Sequence, residues 1–378
     1  MPNACAVAHA RVGLKLVLDA LAPPHDAEAV MTPVTIPDIA NVVAGSGFRP
    51  VWADLEPASC NATVDTIAPC ITPRTRLILI THLCGFPSTM GPIVKLAAER
   101  GIDVIEDCSQ AIGATHRGQP IGTFGRAAVF SLSTLKPLTT LAGGVVVARD
   151  DELADRVRSA ASRLPRPRPW TLLAYLAREL ALHAATDQWV FPRFTFPSLQ
   201  LVRALIRTKL APSDLVSSFV PTRFRLVARR DRLPPHMMVR MSDLQAEIGL
   251  RGLEDFCEET RRRQALAEYL HHLLLEKGAG RLVCGAFDPE AIYWRFPVRV
   301  RDRAACRSVL LSHGVDTAPP GLACLSRERA FGEFAAFTPH AFDFMDRSIS
   351  LPLHPSMSQE DIERIAHGVA TCVELGLG

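Results

Sequence analysis

The 378-residue chain is long for one hydrophobic core and natural for two joined domains. Its apolar share of 48% and charged share of 21% are those of a soluble globular protein, and a net charge of +3 argues against nucleic-acid binding by the whole chain. The longest apolar run, near 170–182, is broken by Arg178 and Glu179, so no membrane span is expected; the apolar N-terminal stretch lacks the basic residues that open a signal peptide. Ten cysteines form no C-x-x-C pair and no zinc spacing, which reads as reduced thiols in a cytoplasmic protein and no metal site. Lysine occurs only at 15, 95, 136, 209 and 277, while arginine is plentiful, so each lysine invites a question about its chemistry.

In chain order, β-like runs are expected at 29–34, 49–53, 77–81, 102–106, 127–131 and 144–148. Helical patterns lie near 10–21, 37–45, 64–71, 88–100 and 150–162. This alternation predicts an α/β layer with a largely parallel sheet. Residues 156–232 then hold fifteen Lys/Arg against four Asp/Glu, with clustered prolines and amphipathic helices expected at 170–185 and 198–210. A capping box at Ser242-Asp-Leu-Gln245 opens a long helix to about Leu275. A strand-like stretch at 292–300, a helix near 303–312 and a last helix opened by Ser358-Gln-Glu-Asp361 complete a smaller second unit.

Two segments carry chemistry. In Val104-Ile-Glu-Asp-Cys-Ser-Gln-Ala-Ile-Gly113 an apolar strand ends in two acids, and ligands of open α/β sheets sit beyond such carboxyl ends. Asp107 falls there, although alone an acid after a strand is more often a helix cap or a surface charge. In Ala128-Val-Phe-Ser-Leu-Ser-Thr-Leu-Lys136 a second strand exit leads to a loop lysine, and Gly143-Gly144 then turn the chain into the next strand. Alone, such a lysine is more often a surface residue. Together, 29 residues apart on consecutive strand exits, they match what pyridoxal 5'-phosphate (PLP) requires. A lysine amine forms an imine with the aldehyde, and a carboxylate keeps the ring nitrogen protonated.

With Glu106-Asp107, Gln110-Ala111, Gly113, Phe130-Ser131, Lys136 and Gly143-Gly144, the chain resembles the DegT/DnrJ/StrS sugar-nucleotide aminotransferases of PLP fold type I. The resemblance extends to Pro50-Val-Trp-Ala-Asp54, Ile71-Thr-Pro-Arg-Thr75, His82-Leu-Cys-Gly85, Arg240-Met-Ser-Asp-Leu-Gln-Ala246 and Leu351-Pro-Leu-His-Pro355. It implies fold-type I architecture: a large PLP domain over 1–240, carrying a basic insertion at about 163–235, and a small C-terminal α/β domain over 241–378. It also implies roles. Lys136 is the Schiff-base lysine, Asp107 the partner of the ring nitrogen, Gln110 the neighbour of the ring hydroxyl, and Ser131 a phosphate ligand. The turn at Ala10–Arg11 offers helix N-terminal N–H groups to the phosphate, with Arg11 either adding charge or pointing to solvent. Ile36 lies against the ring face, and Arg240 approaches the partner subunit's cofactor in a homodimer.

Several positions depart from the family pattern. Ile36 stands where an aromatic residue is usual, Met238 where an asparagine reaches the partner's phosphate, and Ala142 where a glutamate precedes the glycine pair. Few residues precede Ala10. The substrate segment reads Gly314-Val-Asp-Thr-Ala-Pro-Pro-Gly-Leu-Ala323. Lysine at 136, rather than the histidine of the family's dehydratases, favours transamination. The function implied is transfer of an amino group from an amino acid, taken as glutamate, to the keto group of a nucleotide-linked sugar. The alternatives are a different keto substrate or a non-catalytic partner protein. The insertion has three readings: packing on the large domain or the dimer contact, a pyrophosphate-binding rim, or a peripheral membrane patch.

Overall fold

A computed structural model describes residues 3–187, 189–205, 227–317 and 321–378, with side chains left out for 202–205. The elements expected at 206–210 and part of the segment 314–323 therefore lie outside the described residues.

The central sheet has seven strands: β1 (Ala4–Val7), β2 (Glu28–Met31), β4 (Arg49–Trp52), β5 (Thr75–Thr81), β6 (Asp103–Asp107), β9 (Ala127–Ser131) and β10 (Gly144–Ala148), in the order β1-β10-β9-β6-β5-β2-β4. β4, β2, β5, β6 and β9 pair parallel; β10 alone runs against them, and β1, antiparallel to β10, closes the edge in the direction of the other five. The sheet is thus mostly parallel, as the alternation of strand and helix patterns requires. β5 reads Thr-Arg-Leu-Ile-Leu-Ile-Thr and is buried on both faces after Arg76, the signature of a strand covered on both sides. One face packs under α1 (Ala10–Leu21), α2 (Pro37–Gly45) and α5 (Asp151–Ser162); the other packs under α3 (Val64–Ile67) and α4 (Met90–Arg100). Strand β1 was not expected, because four residues give too short a pattern to read.

Short pairs complete this body. β7 (Thr115–His116) and β8 (Gln119–Pro120) form a hairpin. β3 (Val34–Thr35) pairs with β12 (Ala323–Cys324) from far along the chain. Leu325 and Phe331 follow β12 into the core beneath α1 and α2.

After the insertion helices α6 (Pro169–Thr186) and α7 (Phe196–Leu205), α8 (Asp243–Glu276) runs for 34 residues, about 51 Å at 1.5 Å per residue. Its first turns lie against the loop before β10: Gln245 and Gly249 are buried there, and Gln245 Nε2 donates to the carbonyl of Ala142. Its last turns bury Ala267, Leu270 and Leu274 in a second core. That core also holds β11 (Phe296–Arg299) paired antiparallel with β13 (Ser348–Leu351), together with α9 (Arg303–Ser312) and α11 (Gln359–Glu374), while α10 (Pro339–Arg347) lies alongside. One helix therefore runs from the loop before β10 to the second core.

The two bodies are also joined at the site. Ile292 N–H donates to Gly85 O at 3.0 Å, and Arg295 N–H donates to Cys84 O at 3.1 Å. Gly85 has φ +97°, and a Cβ there would lie 2.7 Å from Trp294 N. Gly85→Ala is accordingly expected to destabilise the fold by about 1–3 kcal/mol, read from urea unfolding; an unchanged midpoint would show that this contact is not needed.

Candidate active site

Asp107 ends β6 and Ser131 ends β9, two parallel neighbours in which Asp107 sits opposite Val129. Lys136 follows in the loop after β9. The site therefore lies beyond the carboxyl ends of the parallel strands, where an open α/β sheet leaves a crevice.

Strand alternation separates the two acids of β6. Glu106 has no exposure at all and turns to the loop before β9, accepting from the N–H groups of Gly122 (2.8 Å), Phe124 (2.9 Å) and Gly125 (2.7 Å). His82 Nε2 stands 3.2 Å from the same carboxylate, and Ser88 N–H donates to His82 Nδ1 at 2.9 Å. Burial opposes ionisation of Glu106, but the bonds from His82 and the backbone outweigh it and hold its pKa below the ordinary range. Together with Cys108 these groups bring ligand-capable atoms within 4.8 Å of one another. Both imidazole nitrogens are already engaged, so the cluster reads as an internal brace.

Asp107 faces the other way and is 4% exposed. Its Oδ1 accepts from Ser109 N–H at 3.0 Å; among the described residues Oδ2 takes no hydrogen bond. Gln110 is buried, and its Oε1 accepts from Cys84 N–H at 3.0 Å.

Lys136 is half-exposed as a residue, but its amine is enclosed. Burial lowers its pKa to about 7, against the charge of Asp107, which raises it. The amine lies 3.6 Å from the centroid of the Trp294 ring. Trp294 Nε1–H donates to Leu135 O at 2.8 Å and so ties the lysine loop to the second body. The Arg295 guanidinium lies 4.6 Å from the same ring centroid. Cys84 (φ 59°), Leu141 (φ 68°) and Tyr293 (φ 47°) all adopt left-handed backbone around this point, strain of the kind that collects at functional sites. Trp294 and Arg295 were not singled out in the sequence. The available signal was a Trp-Arg pair inside an otherwise apolar run.

At the opposite end, Ser131 pairs in register with Gly144. A Cβ on Gly144 would fall 2.5 Å from Ala10 N, so glycine allows the start of α1 to approach the sheet. No side chain caps α1. Its first N–H groups, at Ala10 and Arg11, open beside Ser131, whose Oγ is 3.4 Å from Ser133 Oγ. Arg11 Nη1 is bound to Asp38 in the first turn of α2, so its charge is held at the rim. Ile36 is the residue before α2, half-buried against the sheet core. Arg240 donates its N–H to Pro165 O at 2.9 Å, and its Nε is buried without a hydrogen bond. The structure thus brings Lys136 and Gln110 to Cys84, with Asp107 close enough for its charge to act on Lys136, and Ala10 and Ser131 to Gly144.

A mostly parallel sheet with a lysine and an aspartate on adjacent strand exits places the chain in the fold-type I class. The chain belongs to the DegT/DnrJ/EryC1/StrS aminotransferase family, whose model matches residues 1–164 and 228–370. Among relatives, the spore coat polysaccharide biosynthesis protein SpsC of Bacillus subtilis (strain 168) is 24% identical over 383 residues, covering 98% of this chain and 86% of SpsC. A dTDP-4-dehydro-2,3,6-trideoxy-D-glucose 4-aminotransferase of Saccharopolyspora spinosa is 37% identical over 134 residues, 35% of each chain. The aminotransferase TlmJ from Streptoalloteichus hindustanus shares the fold, with a TM-score of 0.73 at 24% identity over 99% of this chain and 86% of TlmJ.

The residues present fit PLP, the group such enzymes use. A buried aspartate at the exit of β6, an enclosed amine of lowered pKa and an uncapped helix start kept open by Gly144 meet its ring nitrogen, aldehyde and phosphate in kind.

Proposed function

We propose that this chain is a PLP-dependent enzyme that transfers the amino group of an amino acid, taken as glutamate, to the keto carbon of a nucleotide-linked sugar. One observation carries the reading: the Lys136 amine is enclosed at the exit of β9, with a pKa of about 7, under the charge of Asp107. The names of the sugar aminotransferase and polysaccharide relatives support the substrate class.

Bound PLP supplies an electron sink for the carbon that gains or loses hydrogen. The chain's residues would do the rest. Lys136 would hold the aldehyde carbon and, once released, carry a proton to and from the substrate carbon. Asp107 would keep the ring nitrogen protonated, and Gln110 would stand by the ring hydroxyl. Ser131 and the N–H groups of Ala10 and Arg11 would take the phosphate, with Ile36 toward the ring. A homodimer fits the same reading. Leu135 is 67% exposed beside the lysine, and Leu244, Leu250 and Leu253 are exposed on α8, so a second copy would cover the mouth of the site and bring Arg240 toward the neighbouring cofactor.

Only the neutral amine attacks an aldehyde. The rate of PLP capture, followed by visible absorbance, is expected to rise with pH through about 7 and then level off. A rise that continues toward the ordinary lysine value of about 10.4 would contradict an enclosed amine. The function itself is tested by incubating the PLP-loaded protein with glutamate and a dTDP-4-keto sugar. Formation of 2-oxoglutarate and an amino-sugar nucleotide is expected. If glutamate yields no 2-oxoglutarate, this donor and reaction are wrong.

A further inference from the structure

The family model skips residues 165–227, and α6 opens that segment. None of its 18 residues is buried. Its outward positions Trp170, Leu173, Ala177, Leu180, Ala181 and Ala184 recur at spacings of three and four, so they share one face, and all six are exposed and apolar. Trp170 is 78% exposed and Leu180 60%. A surface helix ordinarily turns charge outward. Here the only two acid or basic groups of the helix besides its histidine, Arg178 and Glu179, turn to the lysine loop: both reach Thr134 Oγ1, at 3.1 and 3.0 Å. In the residues that follow α6, Trp189, Phe194 and Leu201 are exposed as well.

The charged residues of the segment that carries this face are mostly basic. Between 163 and 205 the sequence holds six arginines and two acids. Both acids are engaged: Glu179 as above, and Asp187 by accepting from the N–H groups of Trp189 (2.8 Å) and Val190 (3.2 Å). Arg163, Arg166, Arg168 and Arg193 are exposed.

We propose that α6 and the turn after it dock this enzyme on an anionic lipid surface, with the helix lying among the headgroups. Exposed tryptophans at both ends of an apolar face suit the membrane interface, and arginines beside it suit acidic headgroups. A second copy of this chain suits the face poorly, because a two-fold contact would set the same acid-poor, arginine-rich flanks against each other. Spanning is a separate matter: among the described residues, no helix is long and apolar enough to cross a membrane. Since α6 rests on Thr134, two residues before Lys136, docking brings the lysine loop close to the lipid surface.

The test is co-sedimentation of the full chain with vesicles of equal phosphatidylglycerol and phosphatidylcholine, and with phosphatidylcholine alone. The wild type should pellet with the anionic vesicles, less so in high salt and less with the neutral ones. Emission from Trp170 and Trp189 should shift to the blue on binding. The combined substitution Trp170→Ser, Leu173→Ser and Leu180→Ser should weaken binding by roughly tenfold or more. Arg166→Glu with Arg168→Glu leaves the apolar face intact and should weaken binding to the anionic vesicles alone, so it serves if the first variant fails to fold. The proposal falls if the wild type stays in the supernatant with anionic vesicles, or if both variants bind as the wild type does. It also falls if the serine variant merely turns a dimer into a monomer in sedimentation velocity, which would assign the face to a second copy.

Discussion

Asp107→Asn is expected to lower amino transfer roughly 10²- to 10³-fold, the usual cost of removing one preorganised electrostatic partner, while the fold keeps its stability to within about 1 kcal/mol. The asparagine retains an Oδ1 to accept from Ser109 N–H, the 3.0 Å contact that the Asp107 side chain makes. What it loses is the negative charge that acts on the Lys136 amine and that would hold a pyridine nitrogen protonated. Steady-state rates beside urea unfolding curves make the check. Equal loss of activity and stability would show Asp107 to be a structural acid instead.

Its neighbour should behave in the opposite way. Glu106→Gln is expected to cost about 3–5 kcal/mol of stability, the range for breaking a buried, charge-assisted network. The carboxylate gathers the N–H groups of Gly122, Phe124 and Gly125 together with His82 Nε2. A glutamine turns one NH₂ toward those donors and leaves at least one of them unmatched. PLP capture by the fraction that folds should be unchanged, since Glu106 faces away from Lys136. The measurement is the unfolding midpoint of the PLP-free protein. A loss below about 1 kcal/mol would mean that the loop before β9 does not depend on this acid. Because the pKa of Glu106 is held below its ordinary range, its stabilisation is present above the unfolded-state value of about 4.3 and is lost as pH falls through the lower folded-state value.

These two acids show what a sequence discloses and what it does not. The run Val104-Ile-Glu-Asp107 announces a strand with an acidic exit, because apolar strand residues and the turn after them are adjacent in the chain. Which acid turns to the brace and which to the lysine is set by the pleat, once β6 is fixed between β5 and β9. The parallel strands and their covering helices were readable for the same local reason, as was the capping box that opens α8. Contacts between distant segments left no periodic trace. Trp294 reaches Lys136 only because Ile292 and Arg295 pair with Gly85 and Cys84, some two hundred residues upstream. The ladder between β3 and β12 was invisible for that reason too. Helix α6 was legible as a helix, but the exposure of its apolar face depends on what the fold leaves uncovered.

The most direct test of the central claim is the visible absorbance of the purified protein with added PLP, read beside Lys136→Ala and followed by borohydride and peptide mapping. A yellow band is expected in the wild type that borohydride bleaches as it fixes the pyridoxyl group covalently on the peptide carrying Lys136, and no such band in the variant. A band of equal strength in Lys136→Ala, or a label on another lysine, would contradict the claim.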